Sequence, residues 1–304
     1  MSFDVSTLIA YRDEHATELK GKLKWAGDST KLFQKIPGVT RVAAINYMDI
    51  NPILQKSTFC TAMNTSGSTP ISQKDISVCD FKVEDSWCEN TLQQYYFTDQ
   101  LKGVSGDTLG PWEARFLDQV TVNVLQKTET AVWQNTNPTS SCVGLIDQIK
   151  LDSGRISTGS ATVTVSNVIS NVTSMLSSLE ASAPNISQDN ELYIFVSPKV
   201  HTLFMQATYA ANNFGKPLIT YDANGDIVID YLGPKVTLHK TYGLLGTDYM
   251  VLTTLKNLYH AFDGVSDEEK VALWYEQKDD ILYYRSKFRL GVTFWLGEYI
   301  VCNF

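Results

Sequence analysis

Four histidines (His15, His201, His239, His260) and five cysteines (Cys60, Cys79, Cys88, Cys142, Cys302) are the side chains best suited to metal or nucleophilic chemistry. Neither set has the spacing that such chemistry needs. A zinc site draws two ligands from one short turn, as in C-x2–4-C or H-x3–5-H, and no such pair occurs. No GxSxG elbow, Walker loop or GxGxxG is present, and "GKPL" at Gly215 has Pro217 where a phosphate loop needs Ser or Thr. "DANGD" (Asp222, Asn224, Gly225, Asp226) offers oxygen ligands, but its glycine is misplaced for a calcium loop and no distal Glu follows. A tight turn with Gly225 at positive φ accounts for the same residues. The acidic "SDEE" (Ser266–Glu269) reads as a solvated loop, and Arg285, Lys287 and Arg289 form a basic ladder on alternate positions. These residues do not describe an enzyme, and they call for no cofactor or metal.

The ladder belongs to the most regular pattern in the chain. From Phe288 through Leu290, Val292, Phe294, Leu296 and Ile300 to Cys302 and Phe304, even positions are apolar but for Glu298, while odd positions carry the cations and Thr293. That is the period of a strand with one buried face, far longer than the usual five or six residues. A face so long needs an equally long partner. "PWEARFLDQVTVNVLQKTETAVWQ" supplies one: Pro111 opens it, Trp112, Phe116, Val120 and Val124 repeat at four-residue steps, and Pro138 follows its end. A helix over 111–135 spans roughly 37 Å.

Further elements follow the same logic. Residues 4–25 read as an amphipathic helix, and 163–181 as a second one ending before Pro184. "ELYIFVSPKVHTLF" reads as a strand feeding a helix capped by Ser197 with Pro198 in its first turn. A hairpin turns on Asp222–Asp226, "YMVLTTLKNLYHAFDG" reads as a strand run, and a tight turn at Lys278–Asp280 joins two more strands. "KSTFCTAM" and "DISVCDFKV" flank a Ser/Thr/Gly-rich tip. Centring that hairpin at Thr69–Pro70 sets Cys60 opposite Cys79, although the irregular cysteine usage otherwise reads as free thiols in a reducing compartment.

A net charge of -8 and a pI near 5.0 argue against a protein that coats nucleic acid, whereas a container benefits from an acidic lining. No secretory signal and no run of about 18 apolar residues is seen, so neither export nor a membrane partner is expected.

Taken in order, these elements resemble the major capsid protein of tailed bacteriophages, the Hong Kong 97-type fold, over nearly the whole chain. The α+β class and its division follow from that resemblance: an N-terminal arm (1–49), an extended β-hairpin loop (50–90), a peripheral domain with a long spine helix and elongated β-sheet (91–155 and 251–304), and an inserted α/β axial domain (156–250). "LYIFVSPKVHTLF" and "YLGPKVTLHKTYGL" resemble the axial core, and "LKNLYHAFDG" the return to the peripheral domain. The resemblance implies a subunit that self-assembles as hexamers and pentamers into an icosahedral shell, built in the host cytoplasm and enclosing double-stranded DNA without reading its sequence. It also implies portal, scaffolding or decoration proteins as partners. The arm starts close to Met1, which implies a separate scaffolding protein or none. Lys56, Lys74 and Lys82 lie on the hairpin, but no motif selects an Asn with which any of them would crosslink. Intersubunit contacts are expected at the hairpin tip (Asn64, Ser66, Thr69), the turn (Asp222, Asn224, Asp226) and the ladder (Arg285, Lys287, Arg289), which faces acids such as Asp267–Glu269 of a neighbour. Two alternatives are an encapsulin-like nanocompartment shell and, from another class, a β-rich adhesin or binding module.

Overall fold

The computed structural model describes residues 29–48, 71–94, 112–135, 143–159, 162–187, 192–211, 220–222, 225–229, 235–263 and 272–304. The helix expected at 4–25, the hairpin tip and Asn224 lie outside them. The first half comprises β1 (Gln34–Pro37), β2 (Val42–Met48), β3 (Ile71–Ser77), β4 (Cys79–Cys88), α1 (Trp112–Gln134), α2 (Leu145–Leu151) and β5 (Ile156–Ser157). A middle section follows with α3 (Val168–Ser182), α4 (Pro184–Ser187), β6 (Leu192–Val196), α5 (Pro198–Ala211), β7 (Thr220–Tyr221), β8 (Ile227–Ile229) and β9 (Val236–Lys240). The last part holds β10 (Met250–Thr254), β11 (Leu258–Phe262), β12 (Ala272–Glu276), β13 (Ile281–Phe294) and β14 (Val301–Cys302).

Helix α1 forms despite many β-branched residues because packing holds it. The hydroxyls of Thr121, Thr128 and Thr130 donate to the carbonyls of Leu117, Val124 and Gln126 one turn back, so none needs a partner elsewhere. Its first half sets Phe116 and Val120 against Leu273, Leu282, Tyr284 and Trp87. Its second half buries Val132 and Trp133 with Phe33, Phe195, Val292 and Phe294. One helix thus spans the peripheral sheet and enters the central core.

That sheet has five strands in the order β1-β11-β13-β12, with β4 also on β13. The long β13 is shared in series: β12 pairs with Ile281–Arg285 and β11 with Leu290–Phe294, while β4 pairs with Ile281–Leu290. Leu282, Tyr284, Ser286, Leu290 and Val292 are buried beneath it, whereas Arg285 and Lys287 are exposed, as the alternation requires. At Gly291 any Cβ would come within 2.2 Å of the Ser77 carbonyl oxygen, so this crossing requires glycine. Pro37 ends β1, which lies parallel to β11 within the sheet although residues 1–49 were expected to form an arm.

The terminal run is not one strand. β13 stops at Phe294, a 3-10 turn covers Gly297–Tyr299, and β14 pairs with β10 and β5 in a different sheet. The expected strand over "YMVLTTLKNLYHAF" divides the same way, into β10 and β11 around a 3-10 turn at Leu255–Asn257. One buried side chain holds both crossings. Asn257 accepts from the backbone N–H of Trp295 and Leu296 through Oδ1 and donates through Nδ2 to Leu296 O and Thr253 Oγ1. The Asp152 carboxylate packs on Gly297, where a Cβ would lie 2.3 Å from its Oδ1. Period two records a buried face but not which sheet buries it.

The second sheet has seven strands, β5-β14-β10-β6-β9-β8-β7. Ser197 caps α5 by accepting from Val200 N–H, as its position before Pro198 predicts. Helix α3 starts at Val168, later than the pattern suggests, because Asn167 ties the preceding turn by accepting from Thr164 N–H and donating to Thr162 O. Helices α3 and α5 cover one face of the sheet through Val172, Met175, Leu179, Val200 and Phe204. Its opposite face meets α1, α2 and β13.

Strands β2 and β3 form a separate two-stranded hairpin running from Val42↔Ser77 to Met48↔Ile71. The first strand of the pairing expected around Thr69–Pro70 lies outside the described residues; Cys79 stands on β4 opposite Leu290. Cys79 is nonetheless disulfide-bonded, to a cysteine outside the described residues, while Cys88 and Cys302 are free thiols. The hairpin base rests on Ala261 through Ile45 and Ile76. Lys74 adds a tie: its ammonium sits 3.3 Å from the Phe294 ring centroid and 3.6 Å from Asp152 Oδ2. Burial lowers the Lys74 pKa against the pull of Asp152.

Candidate assembly surface

The outward face of β4, β13 and β12 carries the ladder. Because odd residues of β13 stand opposite even residues of β4, the register sets Arg285 against Glu84, Lys287 against Lys82 and Arg289 against Asp80. Arg285 Nε donates to Glu84 Oε1 at 2.8 Å, and Lys82 reaches along its own strand to Glu84 Oε2 at 2.7 Å. Hydrogen bonding from Lys82 is the chief reason the Glu84 pKa is lowered. Arg289 spans two carboxylates, Asp80 through Nε and Asp263 through Nη1 at 3.1 Å. Toward β12, Trp274 stacks on Tyr283 with ring centroids 5.5 Å apart, and the Arg285 guanidinium lies 5.4 Å from the Trp274 ring. The face is a row of cross-strand ion pairs ending in an aromatic pair.

Its acidic half was missed by attending to β13 alone. Residues 80, 82, 84 and 86 of β4 are polar at alternate positions, a signal as regular as the ladder itself. What the sequence lacked was the register that joins the two rows.

The other expected contacts fare differently. Asn64, Ser66, Thr69 and Asn224 lie outside the described residues. The turn at Asp222 forms as predicted: Asp226 N–H donates to Asp222 Oδ1, and Gly225 has φ +81. Asp226 itself turns inward, 5% exposed, and its Oδ2 lies 2.7 Å from His239 Nδ1. Its carboxylate therefore serves the axial core, while Asp222 is half-buried and Gly225 is exposed. His201 lies in the same electrostatic neighbourhood, its pKa lowered chiefly by burial.

A third polar arrangement is internal. Glu129 of α1, 2% exposed, accepts from the N–H and hydroxyl of both Ser29 and Thr30 at 2.7–3.3 Å, and from Thr241 Oγ1 at 3.4 Å. Trp133 Nε1 donates to the same Ser29 hydroxyl. Gly243 lets the segment after β9 approach, because a Cβ there would lie 2.0 Å from Trp133 Cδ1. This carboxylate joins three stretches distant in sequence, which is the geometry of a structural junction.

Among the described residues no group of three His, Cys, Asp or Glu is placed to hold a metal ion, and no helix is long and apolar enough to cross a membrane. No protein-family model matches the chain, and no curated protein matches it in sequence. Solved structures do match in fold. The chain is similar to one in the capsid of Myoviridae phage XM1, at 13% identity over 91% of each chain with a TM-score of 0.55. It is similar to a chain of the satellite phage P4 procapsid that includes the size determination (Sid) protein, at 11% identity over 95% of this chain and 90% of that one, TM-score 0.57. It also resembles the SrpI encapsulin of Synechococcus elongatus PCC 7942, at 10% identity over 90% and 85%, TM-score 0.54. The long helix on a one-sided sheet, the β2–β3 hairpin and the separate α/β sheet thus form one known arrangement, and this chain has the Hong Kong 97-type fold of tailed-phage capsid proteins.

Proposed function

We propose that this chain is a major capsid protein, self-assembling into the icosahedral shell that encloses the double-stranded DNA of a tailed phage. The observation that carries the reading is fold agreement along nine-tenths of both chains with a phage capsid subunit. Hexamers and pentamers, a virion location, assembly in a host cytoplasm, and portal, scaffolding or decoration partners belong to the same proposal. So does the absence of enzymatic activity: binding in a shell is distributed over many repeated contacts rather than concentrated in a pocket. The outward face of β4 and β13 and the exposed side of the Asp222 turn are its proposed contact surfaces, together with Asn64, Ser66, Thr69 and Asn224.

An encapsulin-like compartment is the second reading, favoured by the agreement with SrpI. Electron microscopy and light scattering of the recombinantly expressed chain test both. Closed shells or rings of five and six subunits are expected. Nuclease-protected DNA inside shells formed with the neighbouring genes supports the phage reading, and a packaged cargo protein supports the compartment. A chain that stays monomeric when those genes are co-expressed overturns both.

A further inference from the structure

The charge pairing on the outward face is complete at every rung but one. Arg285 and Arg289 each meet a carboxylate on β4, whereas Lys287 stands directly opposite another lysine, Lys82. Like charges opposed on adjacent strands are destabilising. Lys82 escapes along its strand to Glu84, which is already shared with Arg285. Lys287 is exposed and makes no ion pair among the described residues. Across these rungs four cations (Lys82, Arg285, Lys287 and Arg289) stand against three carboxylates (Asp80, Glu84 and Asp263), a local excess of positive charge on a chain whose net charge is -8.

Resting on the shell reading above, we propose that this rung is a receptor for carboxylates of a second copy, and that the occupant is the segment Asp267–Glu269. Charge complementarity selects it: this is the only run of three consecutive acids in the sequence. A single unmatched rung suits a short acidic segment, whereas a phosphate backbone needs an extended cationic track that the net acidity of the chain does not provide. The exposed Trp274 and the half-buried Tyr283 two rungs away supply an apolar flank to the contact. The contact is heterologous, one copy offering lysine and the next offering acid, as a closed ring requires.

Reciprocal charge reversal tests this on the full-length chain. Lys287→Glu alone, and Glu268→Lys with Glu269→Lys alone, are each expected to lower the yield of shells or rings by about tenfold or more, because like charges then face each other. Their thermal midpoints should not fall below the wild-type value, since Lys287→Glu even removes the repulsion from Lys82, and Lys287→Gln should give a smaller loss of yield. Co-expressing the two reversed chains in equal amounts should restore rings of six, in which alternating copies again present opposite charges, but not rings of five, which cannot alternate. Rings of six restored only when both changes sit in one chain, and not by the co-expressed pair, mean that the acids meet Lys287 within a subunit, and overturn the proposal. Normal shells that lose their nucleic acid identify a DNA-facing surface and overturn it too. Wild-type shells with all variants unaffected remove the contact alone, whereas a wild-type chain that never assembles removes the shell reading as well.

Discussion

The two sheets bury their strands in opposite ways. In β6, Leu192, Ile194 and Val196 enter the core under α3 and α5, while Tyr193 and Phe195 enter the core shared with α1 and β13. Both faces are covered, so the strand reads as an unbroken apolar run. In β13 both faces are covered over Leu290–Phe294, but before that only the face toward α1 is buried, and the other face alternates into charge. The difference shows where a partner could be accommodated: the seven-stranded sheet has no free face to offer over these strands, and the five-stranded sheet keeps one. The ion pairs on that open face are worth little to the subunit's own stability.

Substitutions on the two sheets should separate by size. Phe195→Ala should have the largest effect, because its ring touches those of Phe33, Trp133, Tyr193 and His239. A loss of about 3–5 kcal/mol in denaturant unfolding is expected, and a loss under about 1 would mean that the two cores are not coupled through β6.

His260 probes the covered face of the peripheral sheet. Burial, assisted by the Lys35 charge, lowers its pKa from 6.5 to about 4. The unfolded chain then binds a proton that the folded chain refuses, so this stability is present above pH 6.5 and is lost as pH falls toward 4. The contribution is about 3 kcal/mol at most. Thermal midpoints of wild type and His260→Gln, measured from pH 7 to 4, should converge as the pH drops; parallel curves would remove His260 as the cause.

Glu129→Gln should come next, at roughly 2 kcal/mol. It keeps the shape of the side chain but turns an amide donor toward the donors of Ser29, Thr30 and Thr241. Hydrogen exchange at residues 29–33 should rise more than elsewhere if the junction holds that segment. The smallest effect belongs to the open face. Arg285→Ala should change stability by less than about 1 kcal/mol while lowering assembly yield, and a large drop in stability would show that the face is structural rather than reserved for neighbours.

Much of this architecture was legible in the residue order. The stripe Phe116, Val120, Val124 marked α1, Ser197–Pro198 marked the start of α5, and the alternation through Arg285, Lys287 and Arg289 assigned each side chain its face. Such features depend on neighbours within a few residues, where helix and strand periods act directly. The acids that meet the ladder were harder to find, because Asp80 and Glu84 lie some two hundred positions earlier in the chain.

By itself, then, the sequence determined the local elements, their buried faces and the long helix matched to a long strand. The tertiary structure decided which sheet each strand joined. Val301–Cys302 left the peripheral sheet for the axial one, and β10 separated from β11, because Asn257 could hydrogen-bond both crossing segments while Gly297 admitted the Asp152 carboxylate. It also decided that Asp226 would face His239 and that Lys287 would face another lysine. Periodicity says that a side is buried or exposed; register and distant packing say against what.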